Sequence, residues 1–204
     1  MFIRSRSTFL MAVLCASILI ATVKPLFAAE PLKVVATQGM YADVVKQIGK
    51  DKVDVKFVAS PKFNVHFIQP KPSDVRNVSR ADLVVYTGLD LEEWWGPLVE
   101  AAGKPEFFPG REKSTDLSQG IRLLEAPDHA LTRAEGDIHL YGNPHYILNP
   151  ENAKVMASTI RRKLSEIDPA SASFYEANEK VFTARLDEKI TRWKALCAHC
   201  AGQE

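Results

Sequence analysis

The sequence predicts an α/β fold: a parallel sheet with flanking helices, followed by one long helix. Three observations carry this expectation. Short β-branched runs alternate with segments of helical spacing, in the order β-α-β-α-β-α. Residues 82–88 hold a continuous apolar run with a glycine exit, the pattern of a parallel strand buried on both faces. The last third is helical throughout, in two segments that each open on a proline.

Taken in order, residues 33–37 form a β-branched run and predict the first strand. Residues 41–48 carry apolar side chains at helical spacing, and Gly49 stops them. Residues 53–58 alternate like a strand. Residues 73–80 predict a short helix, with Ser73 as its cap and Asp74 at its positive end. After the strand at 82–88, a helix is expected over 91–102, ended by Gly103. Glu92 and Glu93, followed by Trp94 and Trp95, fit the first turn of that helix, where carboxylates favour the dipole. Residues 121–124 suggest one more short strand. Residues 127–144 have no periodicity and read as a surface loop. Asn149 and Pro150 predict the cap and first turn of a helix running to about residue 167. Asp168 and Pro169 repeat that logic for a helix reaching residue 196, some 28 residues and about 40 Å.

Residues 1–29 read as a targeting segment. Arg4 and Arg6 precede a mostly apolar run, and Ala28 and Ala29 supply small residues near a cleavage point. The run is too short and broken for a comfortable membrane span, so no direct insertion of the mature chain is expected. Removing the segment takes the formal charge from +1 to −2, a balance that argues against nucleic acid as a partner. The rest is long enough for one domain with its own core. Of the three cysteines, Cys15 falls in the targeting segment. Cys197 and Cys200 suggest a local disulfide or free thiols at the end of the chain.

Two histidines stand out. His66 is followed by Pro70, Lys71, Pro72, Ser73 and Asp74, so the imidazole sits in a proline-stiffened loop just ahead of a helix. His145 follows Pro144 and precedes the capped helix at Pro150. Either alone reads most simply as a surface residue. Two in matching contexts suggest half of a transition-metal site, because neutral imidazole is a common donor to zinc. In an open α/β sheet such a site belongs at the carboxyl ends of the strands. His139 is a further candidate donor, while His129 reads as solvated. There is no His-Glu-x-x-His motif, no Gly-x-Ser-x-Gly elbow and no phosphate-binding glycine loop, so an enzyme is not expected.

These residues resemble the metal-binding, solute-capturing subunits of zinc/manganese ABC importers. The resemblance covers most of residues 33–196. It rests on His66 with Pro70, Pro72, Ser73 and Asp74, on residues 81–92, similar to the family's strand leading into an "NGLGLE"-like turn, and on Pro144–His145 followed by Asn149–Pro150–Glu151. It implies two α/β lobes joined by a long rigid helix, with the metal held between them. Residues 30–168 would then be the N-terminal metal-binding lobe, 169–196 the connector helix and 197–204 a tail. The second α/β lobe, with the remaining two ligands, would be absent, as in a truncated receptor. His66 and His145 match the two ligands of the first lobe. Asn149 stands where the family commonly has Asp, and the loop at 127–144 is shorter than the His-rich loop of some zinc-specific members.

The resulting expectation is a periplasmic receptor that captures Zn2+, with Mn2+ as the other candidate, and delivers it to the membrane permease of an ABC importer. Two other readings stay open: a truncated receptor serving as an adhesin-like or regulatory surface, and a small exported metallohydrolase using His66, His145 and a loop carboxylate such as Asp137.

Overall fold

A computed structural model describes residues 30–124 and 141–198. Residues 1–29, expected to be a targeting segment, residues 125–140 with His129, Asp137 and His139, and residues 199–204 with His199 and Cys200 lie outside the described residues.

Four parallel strands form one sheet in the order β2-β1-β3-β4, with β1 at Leu32–Gln38, β2 at Val53–Ala59, β3 at Leu83–Tyr86 and β4 at Ser114–Asp116. Helices connect them: α1 (Gly39–Gly49), α2 (Pro72–Ser79) and α3 (Trp95–Ala101), followed by α4 (Asn152–Ile167) and α5 (Ala172–Cys197). Pairing of β1 with β2 runs from Leu32 opposite Val53 to Gln38 opposite Ala59, and β1 pairs on its other side with β3. The central strand is thus buried on both faces. Val34 and Ala36 join a core with α1, α4 and α5, while Val35 and Val84 join a second core with α2 and α3. The result is three layers.

Each helix follows from where its apolar residues fall. Tyr41, Val44, Val45 and Ile48 of α1 are buried at helical spacing, as are Met156, Ala157, Ile160 and Leu164 of α4. Gly49 ends α1 for a reason the sequence did not reveal. The residue with left-handed backbone is Lys50, at φ 50°, whereas a Cβ on Gly49 would lie 2.4 Å from Val53 Cγ1. Small size, not a positive φ, is what Gly49 supplies. Helix α5 is 26 residues long, close to the expected length. Tyr175 and Ile190 are buried, and Phe174 and Phe182 pack against the first core. Asn178 donates to the Ile48 carbonyl (2.9 Å), and ion pairs Arg161–Glu179 (2.8 Å) and Lys154–Asp187 (2.6 Å) tie α4 to α5.

Several expectations are corrected. Residues 121–124 form no strand: Ile121 fills the core, whereas Leu124 is exposed. The fourth strand is Ser114–Asp116. Helix α2 starts one residue before Ser73, and its cap interaction is the Asp74 carboxylate accepting from the Lys71 N–H at 2.7 Å. Helix α4 starts at Asn152, not just after Asn149. The Asn149 side chain instead accepts from the Glu151 N–H at 3.0 Å in a turn that leads into the helix. Helix α3 begins at Trp95, which leaves Glu92 and Glu93 outside it.

Candidate metal centre

His66 and His145 come together. Their ring centroids lie 5.6 Å apart, with the planes at 63°. Each sits on a short 3-10 turn. His66 is the middle residue of Val65–Phe67, beyond the carboxyl end of β2, and His145 is the residue before Tyr146–Leu148. The Tyr146 hydroxyl donates to the Thr87 carbonyl just past β3 (2.7 Å), so the second turn also stands at the carboxyl edge of the sheet. Thus the two imidazoles meet where an open α/β sheet places its ligands.

The two turns are built alike. The Asn64 side chain accepts from the His66 N–H at 3.0 Å, and the Asn143 side chain accepts from the His145 N–H at 2.9 Å. An asparagine two residues ahead of each histidine closes an Asx turn that orients the backbone entering it. This signal is legible in the sequence as Asn-x-His twice over, and the motif reading passed it by. The Asn143 N–H also donates to the Leu124 carbonyl (2.9 Å). Among the described residues no group of three or more His, Cys, Asp or Glu is placed to hold a metal ion. His139 lies outside the described residues. Cys197 is exposed at the end of α5.

Behind the histidines lies a buried polar cluster that sequence reasoning missed. Glu92 is 7% exposed. It accepts from the Thr37 hydroxyl (2.6 Å), the Gln38 amide (3.2 Å), the Thr87 backbone N–H (3.3 Å) and the Thr87 hydroxyl. Tyr41 shares a hydrogen bond with the Thr87 hydroxyl at 2.9 Å. Thr37 and Gln38 end β1, and Thr87 follows β3. The cluster therefore sits between the two strands where the chain order of the sheet switches direction. Burial pushes the Glu92 carboxyl above its ordinary range, against the opposing pull of the Thr37, Thr87 and Gln38 donors. Burial likewise raises the Tyr146 and Tyr41 hydroxyls, so both stay protonated and act as hydrogen-bonding groups.

The described residues thus form a three-layer lobe whose parallel sheet brings two imidazoles together at its carboxyl edge and which sends out one long helix. Residues 34–204 match the family described as ZnuA, zinc-uptake complex component A, periplasmic, and the chain belongs to that family. It is 34% identical over 188 residues to the manganese ABC transporter substrate-binding lipoprotein PsaA of Streptococcus pneumoniae, an alignment that takes in 89% of this chain and 57% of that protein. Among solved structures, it is similar to the metal-dependent lipoprotein YcdH from Bacillus subtilis, at 29% identity and a TM-score of 0.63, over 80% of this chain and 55% of that one. A zinc-bound deletion mutant of ZnuA gives 29% identity and a TM-score of 0.63, over 78% and 55%. The chain spans about half the length of the curated relatives it matches.

Proposed function

We propose that this chain captures a divalent transition metal for an ABC importer, with His66 and His145 as its two imidazole donors and a membrane permease as its partner. The observation that carries this reading is the 5.6 Å approach of the two rings, from separate turns, in a member of a metal-receptor family. Residues 30–168 serve as the metal-binding lobe, 169–196 as the connector and 1–29 as the export signal. The work is capture, not catalysis: neutral imidazoles replace water on the ion, and the loaded protein docks on the permease. Donor chemistry favours zinc, since imidazole suits zinc and manganese prefers oxygen ligands. The name of the PsaA relative points instead to manganese. With two imidazoles, a tetrahedral ion keeps two positions for water or for further donors, so His66 and His145 alone hold it weakly.

A chelator-competition titration with zinc and with manganese tests this, on the full chain and on His66→Ala and His145→Ala. Zinc binding lost in each variant is the expected result. Binding indifferent to both substitutions would remove the histidines from the site, and tighter binding of manganese than of zinc would reverse the assignment of the ion.

A further inference from the structure

The segment between β3 and α3 touches both histidine turns. Among the described residues it is also the one stretch where positive φ values follow one another. Gly88, Leu89 and Asp90 have φ of 84°, 55° and 58°, three consecutive left-handed residues, two of them not glycine. Such conformations persist only where the surroundings impose them, and they gather where a fold must hold something in place. Here Glu92 is the fastening, through its bonds to Thr37, Gln38 and Thr87.

From this fixed turn two hydrogen bonds reach out. The Trp94 indole N–H donates to the Val65 carbonyl at 2.7 Å, one residue before His66. The Thr87 carbonyl accepts from the Tyr146 hydroxyl at 2.7 Å, one residue after His145. Trp94 and Tyr146 are each 8% exposed, so both bonds form in largely dry surroundings, where a polar handle on an aromatic ring needs its partner. The two histidine turns are therefore each tied, beside the imidazole, to residues 87–94.

We propose that residues 87–94 are a positioning clamp for metal capture, in which Trp94 and Tyr146, acting through His66 and His145, set the separation of the two imidazoles before an ion arrives. This rests on the capture reading given above. Zinc holds imidazole nitrogens at about 2.0–2.1 Å, so a pair able to share an ion must already be held close together. Ordering loops at the moment of binding weakens affinity, and a clamp that orders them beforehand removes that loss. Neither aromatic side chain touches the ion. Each fixes the backbone that carries a donor.

The test compares Trp94→Phe and Tyr146→Phe with the full wild-type chain and with Trp95→Phe. Trp95 lies next to Trp94, but its indole donates to the Phe107 carbonyl (3.4 Å), away from the histidines. Three quantities are read: the nuclear Overhauser contact between the His66 and His145 rings without metal, zinc affinity by chelator competition, and the thermal midpoint. The expected result is a strong ring contact in wild type, a weakened one in Trp94→Phe and Tyr146→Phe, and zinc affinity lower by about 10-fold to 100-fold in both. Trp95→Phe should leave ring contact and affinity unchanged whatever it does to the midpoint. The proposal is overturned if Trp94→Phe keeps the wild-type ring contact, or if Trp95→Phe weakens it equally. Trp94→Phe carries the test alone should Tyr146→Phe fail to fold. The ring contact needs no metal, so a clamp that behaves as expected in a protein that binds no zinc through His66 and His145 would overturn only the capture reading.

Discussion

Glu92 shows how far a single residue's surroundings can depart from its local pattern. Next to Glu93 and two tryptophans it has the sequence of a first helical turn, yet its carboxyl ends up enclosed by Thr37, Gln38 and Thr87. Thr87 is five positions away, but Thr37 and Gln38 are 55 and 54, so the local pattern does not predict this. Prolines made the loops of His66 and His145 legible, and the asparagine two residues ahead of each histidine is a further local signal. Burial makes the folded state hold the Glu92 proton more firmly than the unfolded chain does. Below the ordinary value of 4.5 both states are protonated and Glu92 adds no pH dependence. As pH rises above it, the unfolded chain sheds its proton first, so stability falls until the folded state also ionises and then levels. Glu92→Gln has no such slope. Thermal midpoints across that range should therefore show wild type losing ground to the variant as pH rises. A constant difference would mean the carboxyl titrates alike in both states.

At the scale of elements, the periodic segments were readable and the aperiodic ones were not. β1, β3, α1 and α4 carry apolar repeats that bury one stripe or two faces. β4 is Ser-Thr-Asp and carries no apolar signal at all. It is a strand because β3 offers it an open edge, with Val84 opposite Ser114 and Tyr86 opposite Asp116. Ile121 and Leu123 look like strand residues but serve as side-chain filler for the core. The turn after β3 tolerates only glycine at its first position. A Cβ on Gly88 would lie 2.2 Å from Asp116 Oδ1, on a backbone at φ +84°. Gly88→Ala should cost on the order of 1–3 kcal/mol from the backbone conformation alone, with more from the clash. Urea midpoints measure this, and a neutral outcome would mean that β4 moves aside freely.

On the scale of the whole molecule, two cores on opposite faces of the sheet hold the layers, while α5 leaves with part of its surface uncovered. Val181 and Leu196 are more than half exposed, and Trp193 is 44% exposed. The length of this helix was legible, but which of its residues would stay uncovered was not, since its apolar residues are spread along the whole helix and only neighbouring elements decide which are covered. An ion held as proposed would join two turns that belong to different connections of the fold, so zinc should raise the thermal midpoint of the full chain, as any ligand specific to the folded state does. The rise should vanish in His66→Ala. A shift that survives this substitution would place the ion elsewhere.

Every strand pairing in the sheet is parallel, and the bonds that set the histidines join residues 29, 55 and 59 positions apart. Folding of this kind proceeds by closing long loops before contacts can reward them, and it is slow by nature. The imidazole pair exists only once those distant contacts have formed. A chain still folding carries both histidines but no place for an ion. On the capture reading, capacity to hold metal reports that the sheet, its crossovers and the turn behind them have all been assembled.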